Sequence, residues 1–304
     1  MLGAFLGAIS QGVLWGIMVL GVYITFKLLD IPDMTVDGSF TLGGFICAIL
    51  ISDGKINPIL VLICAILGGL IAGAVTGILH TIFEIPAILA GILTQISLWS
   101  INLRIAHKRS NITLPKLGNI FSAVASMTGM KKSQVALVLG IIIVIVIIAL
   151  LYWFFGTEMG SALRATGNNE AMVRALGINA KTMKLIALMI SNGLVALAGA
   201  LVCQSQGYAD INMGTGAIVI GLAAIVIGEV LLGWVKPFYA KLGAAVIGSV
   251  VYFIIRAIVL QMGLDSDYMK VLSAVIVAVA LSFPVLSKKY RQKKDYDPAG
   301  EGGE

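Results

Sequence analysis

The sequence predicts an all-α protein, a polytopic integral membrane bundle of about nine spanning helices, some of them short or broken. Three observations carry that prediction. Of 304 residues, 59% are hydrophobic and 12% charged, against about 25% charged in an ordinary soluble domain. Several apolar runs reach the roughly 20 residues that a helix needs to cross a bilayer. The 35 glycines suit membrane helices, whose backbones approach closely where side chains are small. These features exclude a soluble enzyme.

Taken in order, hydropathy places the spans at 8–29, 36–52, 58–80, 86–104, 134–155, 184–205, 214–234, 240–261 and 269–287. The second is short and interrupted by glycines, and the seventh opens on Gly214-Thr215-Gly216 and contains Glu229. Irregular backbone is tolerated at membrane depth only where it is buried in protein or lines a watery cavity. These two segments therefore point to a solute pathway, with ordinary short spans as the plainer alternative. Gly69, Gly73 and Gly77 in the third span fall on one face about a turn apart, a surface on which another helix packs. Loop 105–133 is basic and suggests a short helix at 120–127. Residues 1–287 read as a single transmembrane domain, and 288–304 as a basic, then disordered, tail.

Lys and Arg counts set the orientation. With nine spans, eleven basic residues share one side: Arg164, Arg174, Lys181, Lys184, Lys236, Lys241 and five in the tail. The other side has eight, including Lys108, Arg109, Lys131 and Lys132. The excess places the C-terminus in the cytoplasm and the N-terminus outside. Because no basic residue precedes Lys27, the first span lacks the charged region of a cleaved signal peptide. Cys47, Cys64 and Cys203 lie in apolar runs without a metal-ligand spacing, so no metal is expected. The basic charge reports topology rather than nucleic-acid binding.

The most informative polar stretch runs from Gly160 to Asn179. Its punctuation reads as two short helices: Gly167 ends the first in a left-handed conformation, Asn168 or Asn169 caps the second, Glu170 sits in its first turn, and Gly177 stops it. Asn179 caps the following span. A short capped helix between two membrane helices is a rigid lever, and the mixed surface of Ala165, Ala171, Met172 and Leu176 beside Arg164, Glu170 and Arg174 suits docking to another protein. An amphipathic linker on the lipid surface is the competing reading.

In Gly160, Arg164-Ala165, Gly167-Asn168, Gly177-Ile178-Asn179 and Ala198-Gly199-Ala200, the chain resembles permease subunits of ABC importers of the branched-chain amino acid and ribose superfamily. Thr35-Val36-Asp37-Gly38-Ser39-Phe40 is similar to the family's polar break, and Ile85-Pro86-Ala87-Ile88 to a Pro-containing helix entry. Glu229 departs from the small residue usual after Gly221–Gly228. The stretch 89–104 resembles a branch that pairs one permease with one ATPase and a lipoprotein-type binding protein, some members being linked to aromatic amino acids. The resemblance implies a pseudo-twofold-related bundle, a second copy of the permease, an ATPase that holds ATP and Mg on its own chain, an extracytoplasmic solute-binding protein, and a bacterial inner-membrane location. It implies ATPase coupling through Arg164, Ala165, Thr166, Gly167, Asn168, Asn169, Glu170, Ala171, Arg174 and Gly177.

No Walker A pattern occurs in the chain, so nothing cradles a nucleotide phosphate in that way. No residue set suggests covalent catalysis, and the chain is read as a transport subunit without cofactor. Ionisable residues inside spans are expensive, which singles out Asp37 and Glu229. Gln95, Trp99 and Asn102 share one helix face at i, i+4 and i+7, where two amides and an indole suit a small zwitterionic or aromatic solute. With Ser39 and Phe40 these are the candidate pathway residues. Interhelical hydrogen bonding is the plainer role for them. A secondary transporter coupled through Glu229 or Asp37 is the alternative function, followed by a passive channel.

Overall fold

The computed structural model describes residues 2–54, 57–115 and 119–262, together with 271, 274–279 and 282. Helix α1 (Leu2–Val22) runs on into a π-helical turn, Tyr23–Leu28. It is followed by α2 (Val36–Ser52), α3 (Pro58–Thr81) and α4 (Ala87–Ile105). After strand β1 (Asn111–Thr113) come α5 (Ile120–Thr128), α6 (Lys132–Gly156), α7 (Glu158–Asn168), α8 (Glu170–Ala175) and α9 (Ala180–Gln206). Strand β2 (Tyr208–Asp210), α10 (Ala217–Leu232) and α11 (Phe238–Gln261) complete the described chain.

Six segments among the described residues are long and apolar enough to cross a membrane, while α2 and α10 are shorter apolar helices of 17 and 16 residues. Together they correspond to the first eight expected spans. The ninth, 269–287, falls mostly outside the described residues, and the tail 288–304 entirely so.

Local chemistry sets several boundaries. Asn57 Oδ1 accepts from Ile59 N at 3.0 Å and Pro58 occupies the first turn of α3, where a missing N–H costs nothing. Pro86 and Pro237 precede α4 and α11. Gly207 closes α9 in a left-handed conformation, φ 86°, which glycine adopts without penalty.

The centre of the bundle is α9. Its backbone lies so close to α3 that a Cβ on Gly69 would sit 2.2 Å from Asn192 O, and one on Gly73 2.3 Å from Leu188 O. The glycine face expected of this span is thus the seat of α9. On the other side α1 packs along α11, where Ser249 Oγ donates to Gly12 O at 2.8 Å. In each half a long helix leads into a short one and then another long one. The first helix of each half packs on the third helix of the other, α1 on α11 and α9 on α3. This reciprocal exchange is the pseudo-repeat.

Both short helices begin inside the bundle. Asn192, near the middle of α9, bonds Asp33 and Ser39, so the chain entering α2 reaches the interior. There Asp37 meets the start of α10, with Gly216 N donating to Oδ2 at 2.8 Å and Ile218 N to Oδ1 at 3.0 Å. A carboxyl at a helix N-terminus satisfies orphan donors and favours the dipole.

At the end of the bundle remote from α7 and α8, β1 and β2 form an antiparallel ribbon with Asn111 opposite Asp210 and Thr113 opposite Tyr208. Nothing in the sequence announces it, because three residues are too few to show a two-residue alternation. The expected short helix at 120–127 is α5, capped by Asn119 Oδ1, which accepts from Ser122 N at 2.7 Å.

Candidate functional site

Two regions gather the candidate residues. The first is the α7–α8 element. Thr157 Oγ1 accepts from Gly160 N at 3.3 Å to start α7. Asn169, rather than Asn168, caps α8 by accepting from Met172 N at 3.0 Å, and Asn179 Oδ1 accepts from Lys181 N at 3.0 Å to start α9. Gly177 ends the element in the left-handed region, φ 80°.

Gly167 differs from expectation. It lies within α7, which continues to Asn168, and a Cβ there would fall 1.7 Å from Leu28 O. Its absent side chain is needed for close approach to the π-helical turn, not for a left-handed stop. Arg164 also turns inward: one guanidinium nitrogen donates to Phe155 O at 3.0 Å, and the group lies 5.3 Å from the centre of the Phe238 ring. It therefore fastens α7 to the ends of α6 and α11 instead of forming part of the exposed face.

Glu170 is paired on both sides, with Arg174 one turn on and with Lys184 Nζ of α9 at 2.7 Å. The Lys184 hydrogen bond, helped by its charge and by Arg174, holds the Glu170 carboxyl below the usual carboxylate range. Glu84, beyond α3, is likewise held low by Lys181, at 2.8 Å. Val173, Leu163 and Thr166 are buried beneath the element, Ala165 is half-buried, and Asn168, Ala171, Arg174, Met172 and Leu176 are exposed. The outcome is an apolar and charged outer face on a back that is fixed by caps, ion pairs and backbone contact.

The second region is the junction of the short helices. Asp37, Gln95, Trp99 and Asn102 line one cavity of about 260 Å³, together with Thr41 and Thr215. A larger cavity of about 690 Å³ includes Trp15, Phe40, Tyr208, Asn212, Thr215 and Arg256, and the two share Thr215. Phe40 is buried against Trp15, with ring centres 4.6 Å apart. Ser39 lies outside both cavities, its Oγ donating to Asn192 Oδ1 at 2.7 Å. Glu229 is remote from this junction. It forms an ion pair with Lys27 Nζ at 2.8 Å across the ends of α1 and α10, beside a separate cavity of about 340 Å³.

The sequence reading missed the buried polar network that anchors this junction. Asp33 accepts from Thr35 N at 2.9 Å and from Asn192 Nδ2 at 2.7 Å, and the hydroxyls of Thr35, Thr76 and Thr94 are linked at 2.7 and 2.9 Å. Asp33 was legible as a turn residue, since an Asp two residues before the bonded N–H is a local signature. Its partner Asn192, and the Thr76 and Thr94 hydroxyls joined to Thr35, were not, being drawn from three other helices. Arg256 of α11 lines the larger cavity, its guanidinium 5.8 Å from the Phe253 ring centre.

A family model described as the permease component of a branched-chain amino acid transport system matches residues 4–281. The chain is 39% identical over 281 residues to the tyrosine transport system permease protein of Clostridioides difficile (strain R20291), covering 92% of this chain and 91% of that protein. It is 35% identical over 280 residues to an uncharacterized protein of Rickettsia prowazekii (strain Madrid E), covering 90% and 95%. Identity to the ribose import permease protein of Escherichia coli (strain K12) is 23% over 266 residues, covering 87% and 80%.

Proposed function

The chain belongs to the family of branched-chain amino acid transport system permease components, and on that premise we propose that it is the membrane subunit of a binding-protein-dependent ABC importer for an amino acid, in the first instance an aromatic one. The observation that carries this reading is the α7–α8 element, an exposed apolar and charged face whose back is tied to four membrane helices. Arg164 reaches the ends of α6 and α11, Gly167 rests on the turn that ends α1, and Glu170 binds α9. A partner ATPase, holding ATP and Mg itself, docks on Ala171, Met172 and Leu176. When its two copies close, the element moves as a unit and carries those helix ends with it, switching access to the cavities between α2, α4 and α10. This chain performs no chemistry on the solute.

In this reading the α7–α8 end and the C-terminal tail face the cytoplasm of a bacterial cell, and the β1–β2 ribbon faces outward in the inner membrane. There a solute-binding protein, anchored as a lipoprotein, delivers cargo. A second copy of the chain completes the permease. The amino acid class is supported by the similarity to the tyrosine transport system permease and by the indole and amides of the smaller cavity. An ion-coupled carrier is less well supported, because the Glu229 carboxyl is held in an ion pair with Lys27, away from the cavities at the junction of the short helices.

Affinity purification from native membranes in mild detergent, with mass spectrometry and stoichiometry, tests the proposal. An ATPase in equal copy is expected, lost in Ala171→Arg while that variant remains folded and inserted. Its absence under several gentle conditions, or uptake that survives ATP depletion on an ion gradient, would overturn the importer reading.

A further inference from the structure

The smaller cavity contains an unmet hydrogen-bond acceptor. Asn102 is fully buried, and its Oδ1 has no partner among the described residues, whereas the large majority of buried side-chain polar atoms are bonded. Its Nδ2 makes only a long contact, 3.4 Å, with Gly38 O. Across the same space stands Asp37, each of whose oxygens accepts one backbone N–H and keeps further acceptor capacity. Gln95 and Trp99 complete the wall from α4, and no Lys, Arg or His is among the described residues lining it. The cavity is thus rich in acceptors and aromatic on one side. Among the described residues it offers a carboxylate no cation.

We propose that this cavity between α2 and α4 binds the ammonium end of a primary amine, with Asn102 Oδ1, the Asp37 carboxyl and the Gln95 amide oxygen as acceptors and Trp99 beneath its apolar or aromatic body. An ammonium presents three donors and no acceptor, so it complements a site whose unsatisfied atom is an oxygen. The half-exposed Trp99 indole adds a face that attracts cations and aromatic rings. About 260 Å³ lies below the ~300–1,000 Å³ of drug-sized pockets, which suits a solute the size of one amino acid. This inference rests on the amino acid reading above and narrows it, locating selectivity in the amine.

The test uses three probes on the purified full chain: L-tyrosine, tyramine, which keeps the amine, and 3-(4-hydroxyphenyl)propionate, which keeps only the carboxylate. Binding is read by equilibrium dialysis and by tryptophan fluorescence. Tyrosine and tyramine are expected to bind, with the propionate at least tenfold weaker. Gln95→Leu and Asn102→Leu should each weaken tyramine at least tenfold, and Trp99→Phe should remove the fluorescence response while dialysis still detects binding. Should the buried Asn102 variant fail to fold, the half-buried Gln95 position decides. Equal binding of amine and carboxylate probes, or unchanged tyramine affinity in a folded Gln95→Leu protein, overturns the site. ATPase co-purification separates the two proposals: an associated ATPase with no amine binding removes the site alone, and amine binding without any ATPase removes the importer alone.

Discussion

Gly167→Ala sets two effects of opposite sign against each other. Helix propensity favours alanine over glycine in a helix interior by about 1 kcal/mol, and Gly167 is helical, so local reasoning predicts a more stable protein. The added methyl, however, would lie 1.7 Å from Leu28 O, 2.7 Å from Leu28 C and 2.9 Å from Leu29 Cα. All three are backbone atoms, which no rotamer change can move aside. Overpacking of this kind costs about 1–3 kcal/mol. The clash should therefore win by up to about 2 kcal/mol, lowering the melting temperature by roughly 2–8 °C and displacing α7 from the π-helical turn. Thermal unfolding in detergent and ATP-driven uptake in proteoliposomes with the partner ATPase give the readouts. Uptake should fall at least tenfold while the ATPase still co-purifies. Gly177→Ala is the control: its left-handed backbone is strained by a side chain at about 1–2 kcal/mol, but its Cβ meets none of the described residues within 4 Å. A Gly167→Ala protein that melts above the wild type and transports normally would refute the contact as a transmission point.

Glu170 makes the tie between α8 and α9 sensitive to acid. Its folded-state carboxyl is held low, chiefly by Lys184, so the stabilisation is complete above the ordinary carboxylate range and is lost as pH falls through the depressed value. With the pair partly exposed, the effect is at most about 1 kcal/mol. Melting curves taken across acid pH should lose this component in Glu170→Gln, and an identical pH profile in the variant would dismiss it. Glu229→Gln leaves Lys27 without its ion-pair partner and should alter uptake kinetics, with partial rescue by the exchange Lys27→Glu, Glu229→Lys. Unchanged kinetics would reduce the pair to a surface contact, worth about 0–1 kcal/mol.

What the sequence discloses is what depends on neighbours close in the chain. Apolar run length located the eight described spans, and short-range polar punctuation located the caps at Asn169 and Asn179 and the left-handed Gly177. Gly69, Gly73 and Gly77 announced a close helix contact, though not which helix would fill it. Gly167 shows why the same logic fails elsewhere. A glycine that stops a helix and one that admits a distant backbone leave the same letter in the sequence, and only Leu28, 139 positions away, distinguishes them. Arg164 read as a surface charge because the Phe238 ring under it comes from another helix. Of the candidate pathway residues, Gln95, Trp99 and Asn102 were found together since they share one helical face. Their meeting with Asp37, and the separation of Ser39 and Glu229 from them, depended on tertiary packing.

The polar entrance to α2 has a consequence for how the chain is made. Asp33, Ser39 and Asp37 find their partners at Asn192, Gly216 and Ile218, all in the later half. A ribosome that has delivered the first four helices to the membrane has produced carboxyl and hydroxyl groups whose acceptors and donors do not yet exist. The nascent first half must therefore keep α2 near water, or shielded by the insertion machinery, until α9 and the start of α10 arrive. Synthesis order thus leaves an interval in which these groups lack their partners, and the arrival of the start of α10, with Gly216 and Ile218, is the event that closes it.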